Sequence, residues 1–272
     1  MGLKLSNDFI FKYVFGREEN LDILLDFVNA VLVDSGFTPV VGLSLKNPVN
    51  LRQTSWLKET VLDIKATDAK GHQFDIEIQV EPDAAYAQRS LFYWAQVYAN
   101  QLNKGDDYSE LKPVVCINIL DFTLFSGLST QHHCFMLHEI RNKDLILTED
   151  LAIHFIELPK KQTLQSRLTL WTSLIDSDPY QEDAMTILFQ KDPLLNKAQQ
   201  EFQRCTEDEE LRELALSREK YQLDISSKLG AARREGKLEG KLETARQLKS
   251  LGVADLTIRE ATGLSNEEIE RL

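Results

Sequence analysis

Asp63, Glu77 and Gln79 are the residues whose types and spacing can do chemistry. They lie in Val61–Glu81, VLDIKATDAKGHQFDIEIQVE. Two apolar–polar alternations flank Asp68-Ala69-Lys70-Gly71, a polar run ending in glycine, so the stretch reads as a β-hairpin. Side chains at i and i+2 share a strand face. Asp63 and Lys65 therefore point one way on the first strand. Asp75, Glu77, Gln79 and Glu81 share the polar face of the second, with Ile76, Ile78 and Val80 behind them. If the strands pair, Asp63 and Glu77 meet across them. Two converging carboxylates suit a hard divalent cation, since Mg²⁺ takes oxygen ligands at about 2.0–2.1 Å and completes its shell with water. An antiparallel strand with one wet face alternates in the same way without any chemistry. The hairpin alone leaves both readings open.

The elements that must position these residues follow from patterning. Asn7 or Asp8 is placed to cap a short helix carrying Phe9, Tyr13 and Phe15, which Gly16 ends. Leu21–Val33 carries a broad helical apolar stripe. Pro39–Leu45 is a short β-type run, and Leu51–Lys58 is polar and irregular. Pro82 closes the hairpin, and a long helix is expected over Ala84–Asn103, stopped by Gly105. Val114–Phe122 (VVCINILDF) is nearly continuous in apolar residues, the mark of a strand buried on both faces. His133–Ile140 and Leu151–Leu158 read as further strands. A long helix between two sheet strands implies a covered mixed sheet, hence an α/β or α+β core.

Past Pro159 only helical patterning remains. Gln162–Ile175, Tyr180–Phe189 and Leu194–Arg204 are candidate helices, and Glu207–Ser227 continues with helix formers. The run from Ala232 to Gly252 mixes both charge signs, which suggests a solvated helix that Gly236 and Gly240 weaken. Two short helices close the chain, with Gly263 ending the first. Ser265 and Glu268 form a capping box for the second. Glu267, Glu268 and Glu270 would repel phosphate, which favours a packing hairpin over a groove-reading one.

Composition bounds the function. The 272 residues are 43% hydrophobic, enough for one large domain and a smaller one. No apolar run approaches the roughly 20 residues of a membrane span, and MGLKLSNDF lacks the form of a secretory signal. Cys116, Cys134 and Cys205 stand apart, so buried thiols in a reducing cytoplasm are expected rather than a disulfide frame. A net charge of −12 is unusual for a nucleic-acid binder but does not describe a local site. Gln131-His132-His133-Cys134 with His138 and Glu139 is the one His/Cys cluster, and its spacing does not match a zinc signature. No P-loop, Rossmann fingerprint or nucleophile elbow is present. The Tyr and Trp residues of Ala84–Asn103 have the helical spacing of core rather than of a base-stacking platform.

Several separated pieces together resemble the Rpn family of recombination-promoting nucleases, also described as PD-(D/E)XK nuclease family transposases. They are Asp8–Gly16 (DFIFKYVFG), Leu62-Asp63-Ile64-Lys65, Ile76-Glu77-Ile78-Gln79, Arg89 with Tyr93-Trp94, Tyr108 before the Pro113–Phe122 strand, and His154–Leu158 with Lys160. The likeness is close over residues 5–160 and looser in the helical tail. It implies a restriction-endonuclease-like core, a central mixed sheet flanked by helices, followed by an all-helical C-terminal region. The implied domains are a nuclease-like 1–160, a helical extension 161–243 and a small helical hairpin 244–272.

The resemblance also implies metal-dependent hydrolysis of DNA phosphodiesters, tied to recombination, mobile elements or genome defence. Asp63 maps to the motif Asp and Glu77 to the second acid, 14 positions on (77 − 63). With the Ile78 carbonyl they would hold Mg²⁺, or Ca²⁺ or Mn²⁺. Gln79 stands where the superfamily usually has Lys. Lys65 is a candidate for the missing cation and Lys12 a second. Asp8 and Glu59 are candidate outer-shell carboxylates, and Gln88 or Arg89 a contact to the scissile phosphate. The expected partners are double-stranded DNA and, through the helical tail, a second copy of the chain. The alternative is a catalytically inactive member of the same fold that binds DNA or a protein.

Overall fold

A computed structural model describes residues 2–47, 49, 63–163, 166–177 and 189–272. The Leu51–Lys58 stretch, the outer-shell candidate Glu59, and all but the last residue of the expected helix Tyr180–Phe189 lie outside the described residues. The chain divides into two compact units, Met1–Arg218 and Glu219–Leu272.

The first unit is built on a six-stranded mixed sheet flanked by helices. Its strands are β1 (Ser44–Leu45), β2 (Ile64–Thr67), β3 (Gln73–Gln79), β4 (Val114–Leu120), β5 (His132–Phe135) and β6 (Leu151–Glu157). They lie in the order β1-β2-β3-β4-β6-β5, with β3, β4 and β6 parallel and the outer pairings antiparallel. The central strands β4 and β6 are buried along their whole length, which is why their sequences do not alternate. On β3 burial alternates residue by residue, with Phe74, Ile76 and Ile78 on one face and Asp75, Glu77 and Gln79 on the other.

Helices cover both faces. The Ile76 face packs against α1 (Asp8–Phe15), α2 (Leu21–Asp34), α4 (Arg167–Asp176) and α5 (Pro193–Glu207). Phe15, Phe27 and Trp171 meet there edge to face, and the Trp171 Nε1 donates to Asp26 Oδ2 at 2.7 Å. Asn7 caps α1 by accepting from the Phe9 and Ile10 amides, and Gly16 ends it. The other face is covered by α3 (Tyr86–Ala99), whose Tyr86, Trp94, Val97 and Tyr98 pack on Val114, Cys116 and Phe155. Of the Tyr and Trp residues that the helical spacing assigned to the core, Tyr86 is buried and Trp94 and Tyr98 are half-buried against it, whereas Tyr93 is exposed. The hairpin turn is fixed by Asp68, whose Oδ1 accepts from the Lys70 and His72 amides, and by Gly71 at φ 85°.

Two expected strands are shorter than their sequences suggest. Pro39–Leu45 yields only Ser44–Leu45, because Asn29 of α2 satisfies Val40 instead, accepting from its amide at 2.8 Å and donating to its carbonyl at 2.9 Å. The run from His133 leaves the sheet after Phe135, and His138 returns only as an isolated bridge to Ile146.

The C-terminal region is helical. Helix α6 (Glu209–Ser250) begins in the first unit, and most of it belongs to the second. In the second unit α7 (Asp255–Thr262) and α8 (Asn266–Glu270) close a small core of Ala245, Ile258, Leu264 and Ile269. Gly263 ends α7 in the left-handed conformation, and Ser265 and Glu268 form the expected capping box.

Candidate active site

The β2–β3 register sets the site. Ile64 pairs with Ile76 and Lys65 with Asp75, so one step outward Asp63 falls opposite Glu77. Asp63, Lys65, Asp75, Glu77 and Gln79 thus share the face of the sheet that α3 covers. The two sequence-derived carboxylates lie on the same side and are not sealed, since their side chains are 16% and 22% exposed. Asp63 Oδ2 pairs with Lys65 Nζ at 3.0 Å.

Helix α3 brings in Arg89. Its Nη2 donates to Gln79 Oε1 at 2.8 Å and to Glu77 Oε1 at 3.3 Å, and its Nη1 to Asp83 Oδ2 at 3.1 Å. The guanidinium carbon stands 4.5 Å from the centre of the Tyr86 ring. Tyr86 in turn is anchored by donating to Asn118 Oδ1 at 3.0 Å, and Ser90 donates to the same oxygen. Asn118 is paired with Glu77 in the parallel register and donates to the His154 carbonyl at 3.0 Å. Every link in this chain is buried or half-buried, so the arginine is held from below as well as from the side.

The electrostatics show an excess of negative charge. Burial, then repulsion from the Asp63 carboxylate, pushes Asp75 up to about 7. Burial also raises Glu77, although Arg89 beside it pulls the other way. Asp75 Oδ1 is buried with no hydrogen-bond partner. Asp75 and Lys65 also border a cavity of about 420 Å³. Among the described residues no three His, Cys, Asp or Glu side chains are gathered as a ready metal site. The donor set nonetheless suits a hard cation: carboxylate oxygens in surplus, one of them orphaned, with Lys65 and Arg89 as counter-charges among the described residues.

The remaining sequence candidates lie elsewhere. The Ile78 side chain is buried on the opposite face, leaving only its carbonyl to contribute. Gln88 is exposed on α3, and Arg89 rather than Gln88 reaches the carboxylates. Lys12 and Asp8 are buried on α1, beyond the other face of the sheet. The Asp8 Oδ2 there accepts from Arg218 Nε at 2.8 Å.

Asp75, Asp83 and Asn118 were not singled out in the sequence. Asp75 had a signal in its i, i+2 spacing with Glu77, and Asn118 in being a lone amide in a buried apolar run. The His/Cys cluster is split by the pleat. His132 and Cys134 face the α2 side, where His132 bonds Asp34 at 2.7 Å and His154 at 3.0 Å, while His133 lies on the opposite face near Glu157.

A family model described as PD-(D/E)XK nuclease family transposase matches residues 5–232, which takes in the sheet, the acid-bearing hairpin and part of the helical tail. That match points to a nuclease- or transposase-related role and, in general, to DNA as substrate and divalent metals as cofactors. No curated protein and no solved structure matches the chain. Among the described residues no helix is long and apolar enough to cross a membrane.

Proposed function

We propose, for a chain that belongs to the PD-(D/E)XK nuclease family transposases, that it is a divalent-metal-dependent endonuclease hydrolysing phosphodiester bonds of double-stranded DNA. The observation that carries this reading is the placement of Asp63 and Glu77 opposite one another on one accessible face, between Lys65 and Arg89. Asp63, Glu77 and the Ile78 carbonyl would hold the ion, with Mg²⁺ the first choice and Ca²⁺ or Mn²⁺ next. When bound, such an ion polarises the phosphoryl oxygen and makes a water acidic enough to attack. Lys65 balances Asp63 and offers a cation to the phosphate. The linkage to recombination, mobile elements or genome defence follows from the family and is part of the same proposal.

A net charge of −12 places the burden of DNA binding on local cations, so weak affinity steeply reduced by salt is expected. Cys116, Cys134 and Cys205 are all unpaired, which supports a reducing, cytoplasmic setting.

The test is nicking of supercoiled plasmid in Mg²⁺, with a chelator control and the variants Asp63→Ala, Lys65→Met and Lys46→Met. Nicking by the wild type is expected to vanish in chelator and in Asp63→Ala, to fall strongly in Lys65→Met, and to persist in Lys46→Met. Full activity in Asp63→Ala overturns the proposal. Duplex binding without cleavage assigns the inactive, DNA-binding reading instead. Equal activity in the two lysine variants removes Lys65 from the mechanism.

A further inference from the structure

We propose that Arg89 of helix α3 is the catalytic residue contacting the scissile phosphoryl group and that Gln79 is its positioning residue. The assignment rests on the nuclease reading above.

The argument begins with the Gln79 amide. Both of its ends are committed, since Nε2 donates to the Glu81 carbonyl at 3.1 Å and Oε1 accepts from Arg89 Nη2 at 2.8 Å. An amide held at both ends is poorly placed to turn and orient a water. It is well placed to hold a guanidinium. A lysine at the same position would present a positive group to Arg89 and push it away. Glutamine at 79 and arginine at 89 are therefore a matched pair.

Arg89 also has capacity left over. Of its five N–H groups, Nη2 uses two on Gln79 and Glu77 and Nη1 uses one on Asp83. The Nε is buried without any acceptor, an arrangement that native structures seldom leave unexplained. The side chain is 31% exposed, so the guanidinium is not sealed away. It lies over Tyr86, which is itself bonded to Asn118. A rigid, partly open guanidinium with unused donors, beside a carboxylate proposed to hold the metal, fits a phosphoryl oxygen that gains charge as it is attacked. Lys65 stands at the other end of the acid row, paired with Asp63, so the two cations approach the phosphate from opposite ends, Lys65 beside Asp63 and Arg89 beside Glu77.

The experiment is a charge-relocation cycle in the full chain: Arg89→Gln, Arg89→Lys, Gln79→Lys and the double variant Gln79→Lys/Arg89→Gln. Single-turnover cleavage rate, duplex affinity in chelator and Mg²⁺ affinity by calorimetry are measured for each, with thermal melting as the folding control. Arg89→Gln is expected to lose about 100-fold or more in rate, the scale of removing one preorganised donor. Its duplex affinity should stay within about threefold, and its Mg²⁺ affinity should be unchanged or tighter, because a positive neighbour of Glu77 has gone. Arg89→Lys should retain part of the rate, which covers the case in which Arg89→Gln does not fold. Gln79→Lys alone should be impaired, and the double variant should recover at least about tenfold over Arg89→Gln.

Mg²⁺ affinity falling in step with the rate would mean that Arg89 only orients Glu77, and overturns the assignment. So does a double variant no better than Arg89→Gln, or an Arg89→Gln variant that cuts like the wild type. A wild type that binds Mg²⁺ and DNA but does not cut overturns the nuclease reading itself, and this assignment with it.

Discussion

Asp75 is where the charge balance of the site is most exposed to pH. Its carboxyl is raised from 3.8 to about 7 by burial and by Asp63 beside it. An acid whose folded pKa is raised binds more protons folded than unfolded between those two values. Its favourable contribution is complete below about pH 3.8 and is lost as pH rises through about 7. Asp75→Asn removes that loss. In chelator, the melting temperature of Asp75→Asn should exceed that of the wild type by a margin that widens from pH 5 to pH 8. A margin that stays constant would show that Asp75 does not ionise against a penalty. The same residue illustrates what a pattern can and cannot say. Its i, i+2 spacing with Glu77 puts it on the polar face of β3, yet nothing in the sequence shows that helix α3 will shut that end of the face away from water.

At the scale of elements, helix α6 poses the sharpest question. Its 42 residues cross Gly236 and Gly240, both exposed, and a Cβ at either would meet nothing within 4 Å. With no packing there, the local stability rests on the propensity of the charged residues around them. Gly236→Ala and Gly240→Ala should each stabilise the helix by about 1 kcal/mol. Hydrogen exchange across residues 232–244 should slow accordingly, and unchanged exchange would mean that something other than propensity limits the segment. Elsewhere local signals were sufficient. Asn7, Gly16, Gly263 and the Ser265–Glu268 box mark helix ends because capping involves only neighbouring residues. The β-type run at Pro39 misled because its backbone finds Asn29, a partner on another element.

At the scale of the whole molecule, the helices after Pro159 are not an appendage to the sheet. Trp171, Leu195 and Phe202 complete the core that α1 and α2 form over the sheet. Truncation near Pro159 should therefore abolish cooperative melting, since it removes several large buried side chains at about 3–5 kcal/mol for each aromatic lost. Ending the chain after Arg218 keeps that core intact and should leave a cooperatively melting protein. If the tail pairs two copies, light scattering should give a multimer for the full chain and a monomer for 1–218. An unchanged mass would count against tail-mediated pairing.

The sequence by itself determined which side chains share a face. Strand alternation is a property of the backbone, so Asp63, Lys65, Glu77 and Gln79 were bound to point the same way once the hairpin formed. It determined too that β4 would be buried on both sides, because its run of residues lacks a polar face; that β6 is buried along its whole length as well was settled by its place between β4 and β5. Only the tertiary structure decided which cation reaches the acids. In one dimension Lys65 and, after it, Lys12 are candidates for the cation, and Gln88 and Arg89 are alternatives for the phosphate contact. The packing of α1 puts Lys12 behind the sheet, and the seating of Tyr86 on Asn118 turns Arg89, not Gln88, toward Glu77 and Gln79. That choice depends on how a helix docks against a strand distant in local sequence, Tyr86 against Asn118 for example, and no local periodicity carries it.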